Sequence, residues 1–237
     1  MINKLIKQRT ILITGVNRGL GLEFIKQYSK NNYQVFGCCR NLKAATELLS
    51  LTKRFPYMKL FQADVTNQLD LEAIAEELGE TPIDILINNA GTYGNNNETI
   101  ETFTEESMQA TFKTNTLAPL TLIKFLLKNI LSGQEKKIVN ISSNMASISN
   151  NTTGGAYAYR ASKAALNAVM KSIAIDLQKV GIKILLMHPG WIKTDMGTDE
   201  GILTQQESVE SMIKIINSYA GKEIAPFLDC NGKIIPW

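Results

Sequence analysis

The chain has 237 residues, a formal net charge of +3, and hydrophobic and charged fractions of 44% and 20%. These values fit one globular domain with a substantial core, and the small charge gives no reason to expect nucleic acid or an anionic membrane as a partner. Three cysteines and one histidine exclude a disulfide framework and a histidine-based metal site, and they disfavour a hydrolase triad built on His188. No apolar run approaches the roughly 20 residues that span a bilayer. We therefore expect a cytoplasmic protein.

Short apolar runs alternate with longer amphipathic segments along the sequence. This alternation predicts βαβ units, and hence one α/β domain over residues 1–237: a doubly wound parallel sheet of about seven strands with helices on both faces. The strands are expected at Thr10–Thr14, Gln34–Cys39, Lys59–Gln62, Ile83–Asn88, Lys137–Ser142, Lys183–His188 and Ala225–Leu228. The helices are expected at residues 20–31, 42–53, 67–79, 105–131, 157–180 and 205–219.

A glycine-rich turn separates the first predicted strand from the first predicted helix, with glycines at Gly15, Gly19 and Gly21. Glycine lets the backbone turn tightly and approach a ligand, and a helix N-terminus offers free N–H groups and a partial positive charge. The arrangement is typical of a diphosphate cradle, although its Gly-x-x-x-Gly-x-Gly spacing differs from the common dinucleotide fingerprint. A glycine-rich turn without a ligand is the alternative.

Two arginines lie where a dinucleotide fold binds the adenosine ribose. Arg40 follows the second predicted strand, at the place where an acidic residue would bind the ribose hydroxyls, and Arg18 lies inside the glycine turn. Because arginine pairs well with phosphate, these residues favour NADPH, with its 2′-phosphate, over NADH. Two solvent-exposed arginines without a ligand are the alternative. Asp64, after the third predicted strand, can accept a hydrogen bond from the adenine amino group.

The fourth predicted strand ends in the segment Asn88–Gly91. Its side-chain amides can tie neighbouring loops together, while Ala90 and Gly91 let the backbone come close to a ribose. A simple turn explains the same residues equally well.

Tyr159 and Lys163 are four residues apart on a predicted helix and therefore lie on one face of it. Free tyrosine, with a pKa near 10, is a poor acid at neutral pH. An ammonium about 5 Å away would lower the tyrosine pKa by about two units, towards the range that a working acid needs. Tyr157 has Ala161 at the equivalent position and gains no such help. An unreactive Tyr-x-x-x-Lys pair is the alternative, because the spacing is common on helices.

Two polar residues elsewhere can join this pair. Ser143 follows the strand predicted at Lys137–Ser142 and presents a hydroxyl to the same crevice. Asn115 interrupts the apolar face of the long predicted helix, and a polar residue there needs a buried partner, such as a water that links it to Lys163. A core asparagine satisfied by its own neighbours is the alternative.

Together these motifs resemble the short-chain dehydrogenase/reductase family over nearly the whole chain. The resemblance rests on the turn Thr14–Gly21, the segment Asn88–Gly91, Ser143 and the pair Tyr159 and Lys163. Within the family, the segments Tyr157–Lys163, His188–Met196 and Asn231–Trp237 are similar to the sniffer-type carbonyl reductases and the C-factor-like proteins. Two features depart from the common pattern. Ala146 replaces a frequent glycine, and the interval from Ser143 to Tyr159 is longer than usual, as in the sniffer-type branch, so Ser142 stays an alternative to Ser143.

The resemblance implies a Rossmann-like domain in which Tyr159 is the general acid/base and Ser143 binds the substrate oxygen. It implies that Lys163 lowers the tyrosine pKa and holds the nicotinamide ribose, and that Asn115 supports a proton-relay water. The cofactor contacts it implies are Gly15, Asn17, Arg18, Gly19, Leu20, Gly21, Arg40, Asn41, Asp64, Val65, Asn89, Ala90, Gly91, Tyr159, Lys163, Pro189, Gly190, Ile192 and Thr194. The substrate walls are expected at Tyr93, Met145–Ile148, Trp191, Met196 and residues 195–210.

We therefore expect a metal-independent, NADPH-dependent oxidoreductase that reduces a ketone, an aldehyde or a quinone to an alcohol. The alternative is a C-factor-like nucleotide-binding signalling protein with little or no turnover. A homodimer through the helices predicted at 105–131 and 157–180 is expected, with a tetramer possible. The first of these helices carries apolar residues on more than one side, at Leu117, Leu120, Ile123, Leu126 and Leu127.

Overall fold

The core of the protein is a seven-stranded parallel sheet. The computed structural model describes residues 8–95, 98–192 and 201–237. The strands are β1 (Thr10–Thr14), β2 (Gln34–Cys39), β3 (Met58–Gln62), β4 (Ile85–Asn88), β5 (Lys137–Ile141), β6 (Lys183–His188) and β7 (Phe227–Asp229), and their order across the sheet is β3-β2-β1-β4-β5-β6-β7. Every neighbouring pair runs parallel, which confirms the predicted doubly wound α/β sheet.

Helices cover both faces of this sheet. They are α1 (Gly19–Lys30), α2 (Thr46–Arg54), α3 (Gln68–Leu78), α4 (Glu105–Phe112), α5 (Ala118–Ser132), α6 (Tyr157–Leu177) and α7 (Gln205–Ser218), with 3₁₀ turns at Asn144–Ala146 and Gln178–Val180. No helix in the described ranges is long and apolar enough to cross a membrane.

The central strands are largely apolar because helices cover both faces of the sheet there, whereas the edge strand β3 exposes Lys59 and Gln62. Ile11 and Ile13 of β1 pack into a cluster with α1 and α7, whereas Leu12, between them, packs into the opposite cluster with α3, α5 and α6. All three side chains are fully buried. The sheet therefore holds two separate cores and forms a rigid base for the loops at its ends.

The long helix predicted at residues 105–131 is interrupted. A π-helical turn, Lys113–Leu117, separates α4 from α5. Pro119 lies in the first turn of α5. It has no N–H to donate, and its ring would clash with the carbonyl of Asn115 four residues earlier in a regular α-helix. The wider π turn avoids this clash and gives Asn115 a place outside the regular helical ladder.

The carboxyl-terminal edge of the sheet collects the segments that the sequence singles out. The order of the strands reverses between β1 and β4, and a crevice forms at such a point outside the carboxyl ends of the strands. The glycine turn follows β1, the segment Asn88–Gly91 begins at the end of β4, Ser143 comes just after β5 and Pro189 follows β6. The fold therefore brings these four segments to one edge.

The apolar side chains of α5 are mostly covered by the chain itself. Ile123 and Leu126 are buried and Leu120 and Leu127 are partly buried, whereas Leu117, in the π turn, is 51% exposed. The second apolar surface inferred from the sequence is therefore much smaller than expected, because α3 packs against α5 and α6 packs against the π turn.

Candidate active site

The glycine turn after β1 combines tight packing with one open position. A Cβ at Gly15 would lie 2.8 Å from the Cα of Ala90, and one at Gly21 would lie 2.2 Å from the carbonyl oxygen of Gly15. Gly19 differs, because its φ is +60° and a Cβ there would meet no atom of the described residues within 4 Å. Gly15 and Gly21 therefore hold the turn together, while the space beside Gly19 is open. A diphosphate fits this cradle, since the first N–H groups of α1 begin there.

Thr14 and Asn89 join the ends of β1 and β4, and the role of Thr14 was not expected from the sequence. The Thr14 hydroxyl accepts hydrogen bonds from the backbone N–H groups of Asn89 and Ala90, both at 3.0 Å. The Asn89 amide donates to the carbonyl oxygens of Thr14 at 2.8 Å and Gly15 at 3.1 Å. This confirms that the Asn88–Gly91 segment ties neighbouring loops together, and it fixes the floor of the crevice.

The predicted phosphate-binding arginines lie at the same edge of the sheet. Arg18 is the N-cap residue of α1, and Arg40 directly follows β2. Thr14 pairs with Cys38 in the register of β1 and β2, so the end of β2 lies beside the glycine turn. Both arginines are exposed, as is Asn17. Leu20, also predicted to contact the cofactor, lies half-buried in the first turn of α1.

Turns that follow β2 and β3 continue this side of the crevice. The side chain of Asn41 accepts a hydrogen bond from the N–H of Ala44 at 3.2 Å, which shapes the turn after Arg40. Asp64 is partly buried, and its Oδ1 accepts from the N–H and the hydroxyl of Thr66, both at 2.8 Å. Val65 borders a small cavity together with Thr14 and Ala90. Asp64 and Val65 therefore follow β3 at this edge of the sheet, and their contact with an adenine stays a prediction.

The segment after β6 forms the far wall of the crevice. Pro189 accepts a hydrogen bond from the Ser208 hydroxyl of α7, and the buried Ile192 forms a parallel bridge with Leu203. Gly190 has a φ of +88°, and a Cβ there would lie 2.8 Å from a methyl group of Leu203. Thr194 and Met196, which the sequence also placed at the site, lie outside the described residues.

Ser143, Tyr159 and Lys163 converge at the middle of this edge. The Ser143 side chain lies close enough to the Tyr159 hydroxyl to lower the pKa of Tyr159, and its Oγ accepts a hydrogen bond from the N–H of Met145 at 3.1 Å. The buried Lys163 Nζ donates to the Ile141 carbonyl at 2.7 Å and lies 6.0 Å from the centroid of the Tyr159 ring. The Ser142 hydroxyl instead donates to Asn167 at 2.8 Å. The geometry therefore brings Ser143, and not Ser142, to the tyrosine.

The sequence predicts that Lys163 lowers the pKa of Tyr159, and this prediction is wrong for the protein without cofactor. Burial raises the pKa of Tyr159 to about 12, the Ser143 side chain opposes this rise, and the neighbouring Tyr93 adds to it. Burial also lowers the pKa of Lys163 to about 8. Lys163 is not among the groups that shift the pKa of Tyr159, and its ammonium is itself desolvated and bound to the Ile141 carbonyl. Tyr159 consequently keeps its proton at neutral pH, as a proton donor must.

Asn115 is held in the π turn by protein partners. Its amide donates to the carbonyl oxygen of Thr92 at 2.8 Å and to the Ser162 hydroxyl at 2.9 Å, while its Oδ1 accepts from the N–H of Thr92 at 2.9 Å. A Cβ at Gly91 would lie 3.3 Å from this Oδ1 and 3.5 Å from the Nζ of Lys163. Asn115 is therefore satisfied by its own neighbours, and both Asn115 and Lys163 lie close beside Gly91, where a side chain would be crowded.

Aromatic and apolar side chains line the outer part of the crevice. The rings of Tyr93 and Tyr159 stack with their centroids 4.5 Å apart, and the Tyr93 hydroxyl contacts the sulfur of Met145. Ile148 is 79% exposed and Trp191 is 49% exposed. Tyr93 therefore packs against the ring of Tyr159 in addition to its expected role as a substrate wall. Within the described ranges, no group of His, Cys, Asp and Glu side chains could hold a metal ion.

Comparison with known proteins agrees with this geometry. The sequence model of the short chain dehydrogenase family matches residues 9–202. The C-signal protein of Myxococcus xanthus is 36% identical over 167 residues, which is 70% of this chain and 100% of that protein.

Two solved structures resemble the whole fold. The NADPH-bound carbonyl reductase from chicken fatty liver is 34% identical, with a TM-score of 0.91 over 97% of this chain and 99% of that one. The carbonyl reductase Sniffer of D. melanogaster is 33% identical, with a TM-score of 0.91 over 97% of this chain and 100% of that one. The chain belongs to the short-chain dehydrogenase family of oxidoreductases.

Proposed function

We propose that this protein reduces a carbonyl compound, a ketone, an aldehyde or a quinone, to an alcohol with NADPH. The observation that carries the proposal is the meeting of Ser143, Tyr159 and Lys163 at the edge of the sheet where the glycine turn opens. The similarity to carbonyl reductases, one of them bound to NADPH, supports it.

The residues of the crevice fit a phosphorylated dinucleotide. The open side of Gly19 and the first N–H groups of α1 bind the diphosphate, and Arg18 and Arg40 bind the 2′-phosphate. Asp64 accepts a hydrogen bond from the adenine amino group. The segment from Pro189 to Ile192 contacts the nicotinamide carboxamide. When bound, NADPH supplies a hydride for the carbonyl carbon.

The chain itself supplies the proton and the stabilisation of the developing oxyanion. Ser143 and the hydroxyl of Tyr159 bind the carbonyl oxygen, and the hydrogen bonds they donate strengthen as negative charge develops on it. Tyr159 transfers its proton to this oxygen. Lys163 holds the nicotinamide ribose and stabilises the phenolate that Tyr159 leaves. Asn115 and Lys163, which both lie beside Gly91, support a relay water through which the tyrosine can be reprotonated.

The test is NADPH consumption by the purified protein with a panel of ketones, aldehydes and quinones. Apolar aromatic carbonyl compounds should be the better substrates, because Tyr93, Met145, Ile148 and Trp191 form the substrate walls. Absence of turnover with every compound, in a protein that still binds NADPH, would refute the proposal.

A second candidate is a nucleotide-binding signalling protein with little or no turnover. The 36% identity to the C-signal protein favours it. The same assay separates the two, because only an enzyme consumes NADPH in proportion to the carbonyl compound supplied.

We propose that the chain is one nucleotide-binding domain over residues 1–237 that acts in the cytoplasm. The cysteines Cys38, Cys39 and Cys230 are buried free thiols, which suits a reducing compartment.

We also propose a homodimer through the α4–α5 segment and α6, with the exposed Leu117 in the contact. Sedimentation should give the mass of two chains, and Leu117→Lys should shift it towards one. A wild-type mass of one chain at every concentration would contradict the dimer.

A further inference from the structure

The helix that carries the catalytic tyrosine begins in an unusual way. Ala156, the residue before α6, has a left-handed backbone with a φ of 46° and no side chain that could accept a hydrogen bond. It follows Gly154 and Gly155, which have φ values of 65° and 66°. The first turn of α6 contains Tyr159 but no acidic residue. The N–H groups at this helix end therefore need an acceptor from another part of the chain.

Glu98 provides that acceptor. Its Oε2 accepts a hydrogen bond from the N–H of Ala158 at 2.8 Å, across 60 residues of sequence. The side chain is buried, with 4% of its surface exposed, and its Oε1 has no hydrogen-bond partner among the described residues. A buried carboxylate is costly unless a positive partner compensates it, and the N-terminus of α6 offers both an N–H and a partial positive charge.

We infer that Glu98 is a positioning residue for the reaction proposed above, and the inference rests on that proposed function. By holding the N–H of Ala158, Glu98 fixes the first turn of α6 and with it the distance from the Tyr159 hydroxyl to Ser143. Burial, Ser143 and Tyr93 shift the pKa of Tyr159, whereas Glu98 is not among these causes. Its action is therefore on the backbone. A displacement of about 1 Å at a reacting group can cost about 100-fold in rate.

Three substitutions separate the hydrogen bond from the charge. Glu98→Gln keeps the length and one acceptor oxygen but loses the charge, so kcat should stay within about 3-fold of wild type. Glu98→Asp keeps the charge but is one methylene too short for the bond, and Glu98→Ala removes both. We expect these two variants to lose at least about 10-fold in kcat, with the KM for NADPH changed by less than about 2-fold.

The matched control is Thr104→Ala, which removes the side-chain cap of α4. Loss of a cap destabilises a helix, so this variant reproduces a general loss of stability without changing the end of α6. Its kcat should stay within about 2-fold of wild type. Equal losses of kcat in Thr104→Ala and Glu98→Ala would reduce Glu98 to a structural role and overturn the inference.

Amide hydrogen exchange at Ala158 and Tyr159 gives a readout that does not depend on turnover. Exchange should be at least about 10-fold faster in Glu98→Asp and Glu98→Ala, and unchanged in Glu98→Gln and Thr104→Ala. A loss of kcat without faster exchange would overturn the positioning role alone. Absence of turnover in the wild type, with exchange that still responds to Glu98, would instead refute the proposed function.

Discussion

The N-termini of α1 and α6 both lie at the carboxyl-terminal edge of the sheet, but they are built differently. At α1, the N-cap residue Arg18 makes no side-chain capping bond and no acidic residue lies in the first turn. At α6, a buried carboxylate from Glu98 accepts the hydrogen bond of Ala158. Both ends offer N–H groups and a partial positive charge. At α6 the protein supplies an anion for one of these N–H groups, whereas the proposed function leaves those of α1 to the diphosphate of the cofactor.

This difference assigns the two ends to different tasks. In the proposed function, the N–H groups of α1 bind the diphosphate, and the glycines of the turn let it come close. A capped end is rigid, and a rigid first turn suits a residue such as Tyr159 whose hydroxyl must stay beside Ser143. Substitutions at the α6 end should therefore change the rate of the chemical step, whereas substitutions near α1 should change cofactor binding.

The largest expected effect is at the α6 end. Tyr159→Phe should lower kcat by about 100- to 10,000-fold, because it removes the general acid. The Kd of NADPH should change by less than about 2-fold, since the ring that stacks on Tyr93 stays in place. Stopped-flow turnover and fluorescence titration measure the two quantities.

Tyr157→Phe is the control, because Tyr157 is 37% exposed and has Ala161 one turn further along the helix. It should cost less than about 3-fold in kcat. Near-normal turnover of Tyr159→Phe would break the assignment of the chemical step to this helix and would favour the signalling alternative.

The next effect is in cofactor choice, at the α1 side of the crevice. Charge-assisted bonds to a 2′-phosphate are worth about 1.5–3 kcal/mol, so the wild type should prefer NADPH over NADH by about 10- to 100-fold. Arg40→Ala should remove most of this preference and leave kcat with saturating NADPH within about 3-fold. Titration with both nucleotides measures it, with Lys43→Ala as a control at another exposed cation of the same loop. Equal affinities of the wild type for NADH and NADPH would contradict the role of Arg40.

Most of the fold follows from sequence periodicity. The bounds predicted for β1, β2 and β6 agree with the structure, because each strand is an apolar run that is buried on both faces and ended by a polar or turn-forming residue. The π turn at Lys113–Leu117 could not be predicted in this way. Apolar residues keep their helical spacing on both sides of it, and only the missing N–H of Pro119 marks the interruption.

The residues of the candidate site likewise fall into those that local sequence predicts and those that it does not. Gly19 and the Tyr159–Lys163 pair can be recognised from the sequence because each acts together with residues nearby in the chain, in one turn or along one helix. Glu98 and Thr14 act through partners 60 and 75 residues away, so their roles depend on how the strands are ordered. The pKa of Tyr159 was predicted in the wrong direction, because spacing indicates a neighbouring charge but not the desolvation of both groups.

The smallest expected effect is obtained by giving α1 an anion of its own, as α6 has. Arg18 has the extended backbone of an N-cap residue, so Arg18→Asp should cap the helix and stabilise the cofactor-free protein by about 1 kcal/mol, which raises Tm by about 2–4 °C. The same carboxylate should repel the diphosphate and raise the Kd of NADPH at least about 10-fold. Arg18→Asn is the matched control, because asparagine is as good a capping residue as aspartate but carries no charge. It should raise Tm equally and weaken NADPH binding less. A higher Tm together with a higher Kd of NADPH for Arg18→Asp, measured by thermal unfolding and calorimetry, would show that α1 is kept uncapped for its ligand. An affinity as high as that of Arg18→Asn would mean that the charge at this helix end is irrelevant to binding.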